Sequence, residues 1–398
     1  MENHYDHDNS NKSVHKQNKQ LFPYSINPNY ITRKEMKVQI RNAYEQWRKK
    51  YVREVKTIQT LYYIEYDFNG STVSEAIGYG MLLMVSMAKL AEDTRNYFDG
   101  MLFYSKEHPS KGNPSLMAWK QVCTKNGSME DELFEDTYSA SDGDMDIAYS
   151  LLLADKLWGS DGKINYKLEA NRIISALMDS LVNKREWTLK LGDWVHDEDI
   201  KYGTASRPSD WMVGHLYLFY QETRDERWMK VIVKIVELTS FIQDTYSPKT
   251  GLLPDFVWKK NGEYEPVHPD FLEGKHDHHY YYNACRIPWR LAVGYHLYQD
   301  SRLKAQLDKI NDWIKDFTKL DPDKIMSGYQ LDGKPLSSYQ DLAFISPFAV
   351  SASFDVTNQD WINKLWKRMT ENYGANDDSN YYNDSLRLLS MISIYNFS

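Results

Sequence analysis

Ser74 to Leu90 reads SEAIGYGMLLMVSMAKL, and this stretch decides the fold. After Glu75 the run Ile77, Tyr79, Met81, Leu82, Leu83, Met84, Val85 and Met87 leaves no polar face, and its one lysine is Lys89 near the far end. A helix built from it belongs in a core. A glutamate at the head of such a helix, beside Gly78 and Gly80 where a backbone or ligand can approach closely, needs a task to explain it.

Working outward, five more stretches are apolar nearly all round: Asp144–Trp158, Ser209–Tyr220, Tyr282–Tyr298, Leu342–Phe354 and Asp384–Phe397. Alternating with them are helices carrying a single apolar stripe, near Lys34–Lys50, Glu92–Lys106, Asn165–Val182, Glu226–Gln243 and Gln359–Thr370. The stripe is clearest in Leu303, Leu307, Ile310, Ile314 and Phe317, opposite Lys304, Asp308 and Lys315. A striped helix sits outside and an all-apolar one inside. The alternation therefore predicts an all-α fold, a six-hairpin (α/α) toroid of alternating inner and outer helices. The intervals between inner helices are too irregular for a repeat solenoid. Residues 21–398 are predicted to form one such domain. Residues 1–20, rich in Asn, His, Lys and Asp, read as a disordered polar leader.

Three long loops, His108–Ala140, Asn183–Pro208 and Leu253–Tyr281, lead into inner-helix heads, and loops of that length in a compact domain are usually functional. They should gather at one mouth of the toroid. Composition narrows what the mouth can bind. The formal charge of -8 argues against nucleic acid, which calls for a basic surface. Aromatic residues reach 14%, with 12 Trp and 30 Tyr, a surplus that suits stacking on sugar rings. Two cysteines, Cys123 and Cys285, are too few for a disulfide framework and read as buried thiols. No apolar run is long enough for a membrane span, and the first residues carry no hydrophobic export segment.

Carboxylates at the inner-helix heads are the most informative side chains. Asp146, Asp210 and Asp384 fit ordinary helix N-terminal preference, whereas Glu75 and Asp142 each sit in a glycine-containing turn before a core helix. Asp142, Asp144 and Asp146 have calcium-loop spacing, but Ile147 and Leu153 stand where such a loop requires glycine and glutamate. His276, Asp277, His278 and His279 lack a second ligand cluster, so no metal and no cofactor is expected. No phosphate loop, GxSxG or Cys-His signature is present. Paired carboxylates with abundant aromatics remain, the combination used in glycoside hydrolysis.

The segments SEAIGYGM (74–81), NPSLMAW (113–119), SDGDMDIAYSLLLA (141–154), LGDW (191–194), RPSDWM (207–212), YSPKTGLLPDFV (246–257), YYYNACRIPWR (280–290) and YYNDSLRLL (381–389) resemble glycoside hydrolase family 8, from about Leu21 to Phe397. The resemblance implies the same toroid and inverting, endo-acting hydrolysis of a β-1,4-linked polysaccharide. It assigns Glu75 as general acid and Asp142 as the residue that binds and distorts the sugar next to the scissile bond. Many members have an aspartate base where this chain has Asn283, and an amide cannot accept a proton from water. A subgroup with this asparagine, which includes chitosanases, takes its base from a glutamate in the preceding loop. Here that is Glu273, with Asp270 and Asp277 as rivals.

Trp119, Trp194, Tyr79 and Trp211 are candidates for sugar stacking. Asn283 and Arg286 are further substrate-binding candidates, and Arg207 and Arg286 could orient carboxylates. The expected partner is a polysaccharide, chitosan and/or β-glucan such as cellulose or lichenan, bound by a monomer. The alternatives are an inactive carbohydrate-binding toroid or a xylan-directed enzyme. Such polymers lie outside the cell, so an extracellular location is expected although the first residues show no signal.

Overall fold

The computed structural model describes residues 25–397 apart from 56–58, 68, 126–127, 133–136 and 372–379. The leader at 1–20 and the predicted start of folding at Leu21 lie outside the described residues. Among those described are twelve α-helices: α1 (Arg33–Tyr51), α2 (Ser74–Met87), α3 (Thr94–Glu107), α4 (Ser141–Trp158), α5 (Tyr166–Ala176), α6 (Val213–Thr223), α7 (Arg227–Thr245), α8 (Ile287–Tyr298), α9 (Ser301–Thr318), α10 (Leu342–Ala352), α11 (Gln359–Thr370) and α12 (Tyr381–Phe397).

Burial separates them as the apolar patterns require. Every residue of α2 is buried except Glu75 and Ser86. In α9 only one face is covered, by Leu303, Leu307, Ile310 and Ile314 among others, and Phe317 at the end of that stripe is exposed, stacked on Trp313. The helices α2, α4, α6, α8, α10 and α12 each pack on the next, and α12 packs on α2 to close the inner ring. Around it α1 lies on α12, α3 on α2, α5 on α4, α7 on α6, α9 on α8 and α11 on α10. The chain is thus an (α/α) toroid. Each outer helix returns the chain to the same end, so the inner helices run parallel and their N-termini share one mouth.

Two glycines let α2 and α4 approach closely enough to share that mouth. A Cβ on Gly143 would lie 2.5 Å from the Ser74 carbonyl carbon, and one on Gly78 would lie 2.8 Å from the Asp146 Cβ. Neither position has room for a side chain.

Four inner helices begin elsewhere than predicted. Helix α4 starts at Ser141, ahead of the expected Asp144, so Asp142 and Asp144 both lie in its first turn. Pro208 opens a separate 3-10 turn (Pro208–Asp210), after which Trp211 and Met212 leave helical geometry, so α6 starts at Val213. Another 3-10 turn (Ala284–Arg286) precedes α8, whose first turn accommodates Pro288. Helix α12 begins at Tyr381, which puts Asp384 inside its first turn rather than at its head.

The mouth loops also carry short antiparallel strands that the helical reading did not contain. They are β1 (Val52–Val55) with β2 (Leu61–Ile64), β3 (Thr72–Val73) with β4 (Lys120–Cys123) and β5 (Met129–Asp131), β6 (Val182–Asn183) with β7 (Thr188–Leu189), and β8 (Val257–Lys260) with β9 (Glu263–Pro266). Strands of two to four residues are too short for alternation to announce them. One pair bears on the site: β3 runs directly into α2, and the Ser74 amide donates to the Trp119 carbonyl at 2.8 Å, fixing the head of that helix. β3 covers β4 only at Lys120 and Gln121, which leaves Cys123 exposed, contrary to the buried thiol expected; Cys285 is buried. Among the described residues no helix is long and apolar enough to cross a membrane.

Candidate active site

The heads of α2, α4, α6, α8 and α12 contribute to one cluster at the mouth, and Arg286 is its hub. The side chain is wholly buried. Nη1 donates to Glu75 Oε2 (2.9 Å) and Asp142 Oδ2 (2.7 Å), Nη2 to Ser209 Oγ (2.8 Å) and Asn283 Oδ1 (3.1 Å), and Nε to the Asn283 carbonyl (3.2 Å). A guanidinium has five N–H donors, so none remains for a sugar. Arg286 therefore orders the carboxylates; the expectation that it also binds substrate directly does not fit.

Glu75 stands in the first turn of α2, where the helix dipole favours its ionised form. Burial wins. It pushes the carboxyl up to about 7 against the opposing pull of Arg286, and the neighbouring Asp142 charge adds to the rise. Tyr381, from the head of α12, donates its hydroxyl to Glu75 Oε1 at 3.2 Å. Asp142 behaves oppositely: burial alone would raise it, but Arg286 and Arg207 outweigh that and hold it below the usual carboxylate range. Two adjacent carboxyls are thus split into a proton holder and a fixed anion.

Glu273 lies on the loop before α8 with its side chain 48% exposed. Arg207 Nη2 donates to its Oε1 at 3.0 Å, and Asn283 Nδ2 donates to its Oε2 at 2.8 Å. Asn283 accepts from Arg286 on its other side, so two hydrogen-bonded residues connect Glu75 to Glu273. The rivals are placed differently. Asp270 is exposed in the left-handed region at φ 56°. Asp277 is buried, with both oxygens turned to backbone amides.

The aromatic candidates divide by exposure. Trp119 is 38% exposed beside the head of α2, and Trp194 is half-buried with its ring edge-on to Tyr202. Tyr79 is 0% exposed, packed between Trp289 and Tyr381, and Trp211 is 3% exposed with Nε1 donating to Ser206 Oγ. Neither of those two rings has a face to offer a sugar, so both are corrected to packing residues.

His276 Nδ1 and His279 Nδ1 lie 3.1 Å apart, hydrogen-bonded to each other. Among the described residues no group of three His, Cys, Asp or Glu is placed to hold a metal. Sequence reading did not single out Tyr381, Ser209 or Asp255. Tyr381 and Asp255 stand in the YYND and LLPDFV segments quoted above, but only the closed ring shows what they touch.

Comparison with known proteins agrees with this geometry. The model of glycosyl hydrolases family 8 matches residues 34–395. A β-glucanase of Niallia circulans is 45% identical over 368 residues, covering 92% of this chain and 87% of that protein. An endoglucanase of Bacillus sp. strain KSM-330 is 37% identical over 387 residues, covering 93% and 80%. The apo structure of a β-1,3-1,4-glucanase from Paenibacillus sp. X4 superposes with a TM-score of 0.87 at 43% identity, covering 93% of this chain and 94% of that one. Rex8A of Paenibacillus barcinonensis, complexed with xylose, shares the fold alone, with a TM-score of 0.74 at 18% identity over 94% and 97% of the two chains. The chain belongs to glycosyl hydrolases family 8.

Proposed function

We propose that this protein is an endo-acting, inverting β-glucanase in which Glu75 is the general acid, Glu273 the general base, and Asp142 the anion that holds and distorts the sugar beside the scissile bond. One observation carries the reading: a largely enclosed glutamate, its side chain 16% exposed and its carboxyl pushed up to about 7, is linked through Arg286 and Asn283 to a solvent-facing glutamate on a loop. Near neutral pH the first can hold a proton for the leaving oxygen, and the second faces the solvent side from which water arrives.

In the step proposed, Glu273 takes a proton from water as the water oxygen bonds to the anomeric carbon. The bond from that carbon to the leaving oxygen breaks, and Glu75 delivers its proton to the leaving oxygen. Asp142, kept anionic by two arginines, stabilises the positive charge that develops on the ring and keeps Glu75 protonated. Trp119 and Trp194 are the rings proposed to stack on the polymer, and Asn283 steers Glu273. Residues 21–398 are proposed to act as one domain and as a monomer, since a single chain supplies all six inner-helix heads.

The names of the similar proteins, β-glucanase, endoglucanase and β-1,3-1,4-glucanase, support glucan over chitosan or xylan. The Arg207 guanidinium paired to Glu273 also makes the base side of the cleft a poor host for a glucosamine ammonium. A polymer of that kind is met outside the cell, which supports an extracellular site of action. The test is reducing-sugar release from lichenan, carboxymethylcellulose, chitosan and xylan, with Glu75→Gln and Glu273→Ala as controls. Release from the glucans that both substitutions abolish is expected, with the new reducing end in the α configuration by NMR. No release from any polymer would overturn the enzyme reading, and a β product would overturn inversion.

A further inference from the structure

A base on an exposed loop must be held as firmly as an acid on a core helix, because loss of about 1 Å in placement can cost roughly a hundredfold in rate. Glu273 has no helix beneath it. Its backbone is held by Asp277, only 3% exposed, whose Oδ2 accepts the amides of Leu272 (2.7 Å) and Glu273 itself (3.0 Å) and whose Oδ1 accepts that of Gly274 (3.0 Å). Asn283, the side chain that grips Glu273 Oε2, is held in the same manner. Asp255, also 3% exposed, accepts the amides of Tyr281 (3.0 Å), Asn283 (3.3 Å) and Ala284 (2.7 Å).

The two aspartates are tied to each other through the chain. The Asp255 amide donates to the His279 carbonyl at 2.8 Å and the Phe256 amide to the Asp277 carbonyl at 3.0 Å. Phe271 and Phe256 anchor the assembly in a small separate core with Leu191, Val195, Ala205 and Val267. Three backbone amides take three of the roughly four acceptor positions of each buried carboxylate, and Asp255 Oδ2 also receives the Asn283 side chain, whose Nδ2 donates to it at 3.4 Å.

We propose that Asp255 and Asp277 are positioning residues for catalysis, each gathering three backbone N–H groups so that Asn283 and Glu273 meet in one fixed orientation at the mouth. This rests on the reading of Glu273 as the base. It also gives the HDHH run a purpose: Asp277, which looked in sequence like a competing base, is the residue that places the base. An aspartate-to-asparagine change is the sharp probe, since the amide keeps the shape but offers one acceptor oxygen and an NH2 group. Whichever way the introduced amide were turned, at least one of the three N–H groups would face a donor.

The experiment is a double-mutant cycle on lichenan with the full chain: Asp277→Asn, Glu273→Ala and the pair, with melting temperature recorded for each. Asp277→Asn is expected to lower kcat by about 10- to 100-fold with KM within about twofold. Added to Glu273→Ala it should cost no more than about twofold further, because a misplaced base and an absent base are equivalent. Sodium azide, which bonds to the anomeric carbon without needing a base while Glu75 protonates the leaving oxygen, should restore turnover equally in Glu273→Ala and in the pair. If the two losses multiply, if azide rescues only Glu273→Ala, or if Asp277→Asn turns over at the wild-type rate, the inference is overturned. Should Asp277→Asn fail to fold, Asp255→Asn in the same cycle decides. If Glu273→Ala itself stays active, it is the base reading that fails, an outcome distinguishable from the others.

Discussion

Replacing Asp142 by Asn probes the electrostatics of the acid most directly. Glu75 Oε2 and Asp142 Oδ2 contact the same Arg286 nitrogen at 2.9 and 2.7 Å, so they lie no further apart than 5.6 Å, the sum of those distances. At an effective dielectric of about 20, two unit charges at that separation repel by roughly 3 kcal/mol. That corresponds to about two pKa units. The guanidinium between them absorbs part of it, leaving a fall of about one to two units in Glu75 once the Asp142 charge is gone. A general acid works protonated, so wild-type kcat/KM should decline as pH rises through about 7. In Asp142→Asn the decline should come at about pH 5 to 6. The height of the profile also drops, because Asp142 is proposed to hold the sugar, so the position of the basic limb is what must be read. Hydrolysis of lichenan across pH 4 to 9, buffered at constant ionic strength, measures it. A limb that stays in place or moves upward would refute both the acid assignment and its coupling to Asp142.

Further expectations follow from neighbouring contacts. Tyr381→Phe removes the hydroxyl that favours ionised Glu75, so the same limb should move up, by about half to one unit; a downward shift would contradict it. Gly143→Ala drives a methyl into the Ser74 backbone and should cost about 1–3 kcal/mol in denaturant unfolding along with most activity, and an unchanged unfolding midpoint would refute the close crossing of α2 and α4. Asp146→Asn strips the partner from buried Arg290, which donates to Asp146 at 2.9 and 2.6 Å, and should cost about 3–5 kcal/mol at neutral pH. Burial would raise the Asp146 carboxyl, but Arg290 and His215 hold it well below the ordinary value. Its contribution is therefore present above that ordinary value and is lost as pH falls through the depressed one, so wild type and variant should converge in acid. A gap that widens in acid would refute the pairing.

What was legible in the sequence was what burial writes into composition. Helix α2 is covered on all sides by other helices, so its residues are apolar on all sides, and Glu75 stands out because nothing else there is charged. Orientation toward the cleft leaves no such mark. Tyr79 lies in the same helix one turn from Glu75, yet it is packed against Trp289 and Tyr381, and nothing local distinguishes a ring facing a neighbouring helix from one facing a sugar. The proposed choice of Glu273 over Asp277 as base was equally out of reach of spacing, since it rests on which carboxylate meets the amides of its own loop. The starts of α6 and α8 shifted because 3-10 turns, Pro208–Asp210 and Ala284–Arg286, precede them, and no periodicity encodes the lengths of such turns.

The closure of the inner ring by α12 against α2 has a consequence for how the protein is made. The contact between Tyr381 and Glu75 joins residues 306 apart in the chain, and Trp47 reaches Ser385 across 338. On the ribosome α2 emerges with an apolar surface on every side, and α12, one of its two ring neighbours, follows only after the 306 residues that separate Glu75 from Tyr381. Until then that flank has nothing to bury against, and contacts of such long range form late. A chain cut short before Tyr381 would be a sticky, inactive product rather than a weakened enzyme, and the nascent protein should lean on chaperones until α12 has emerged.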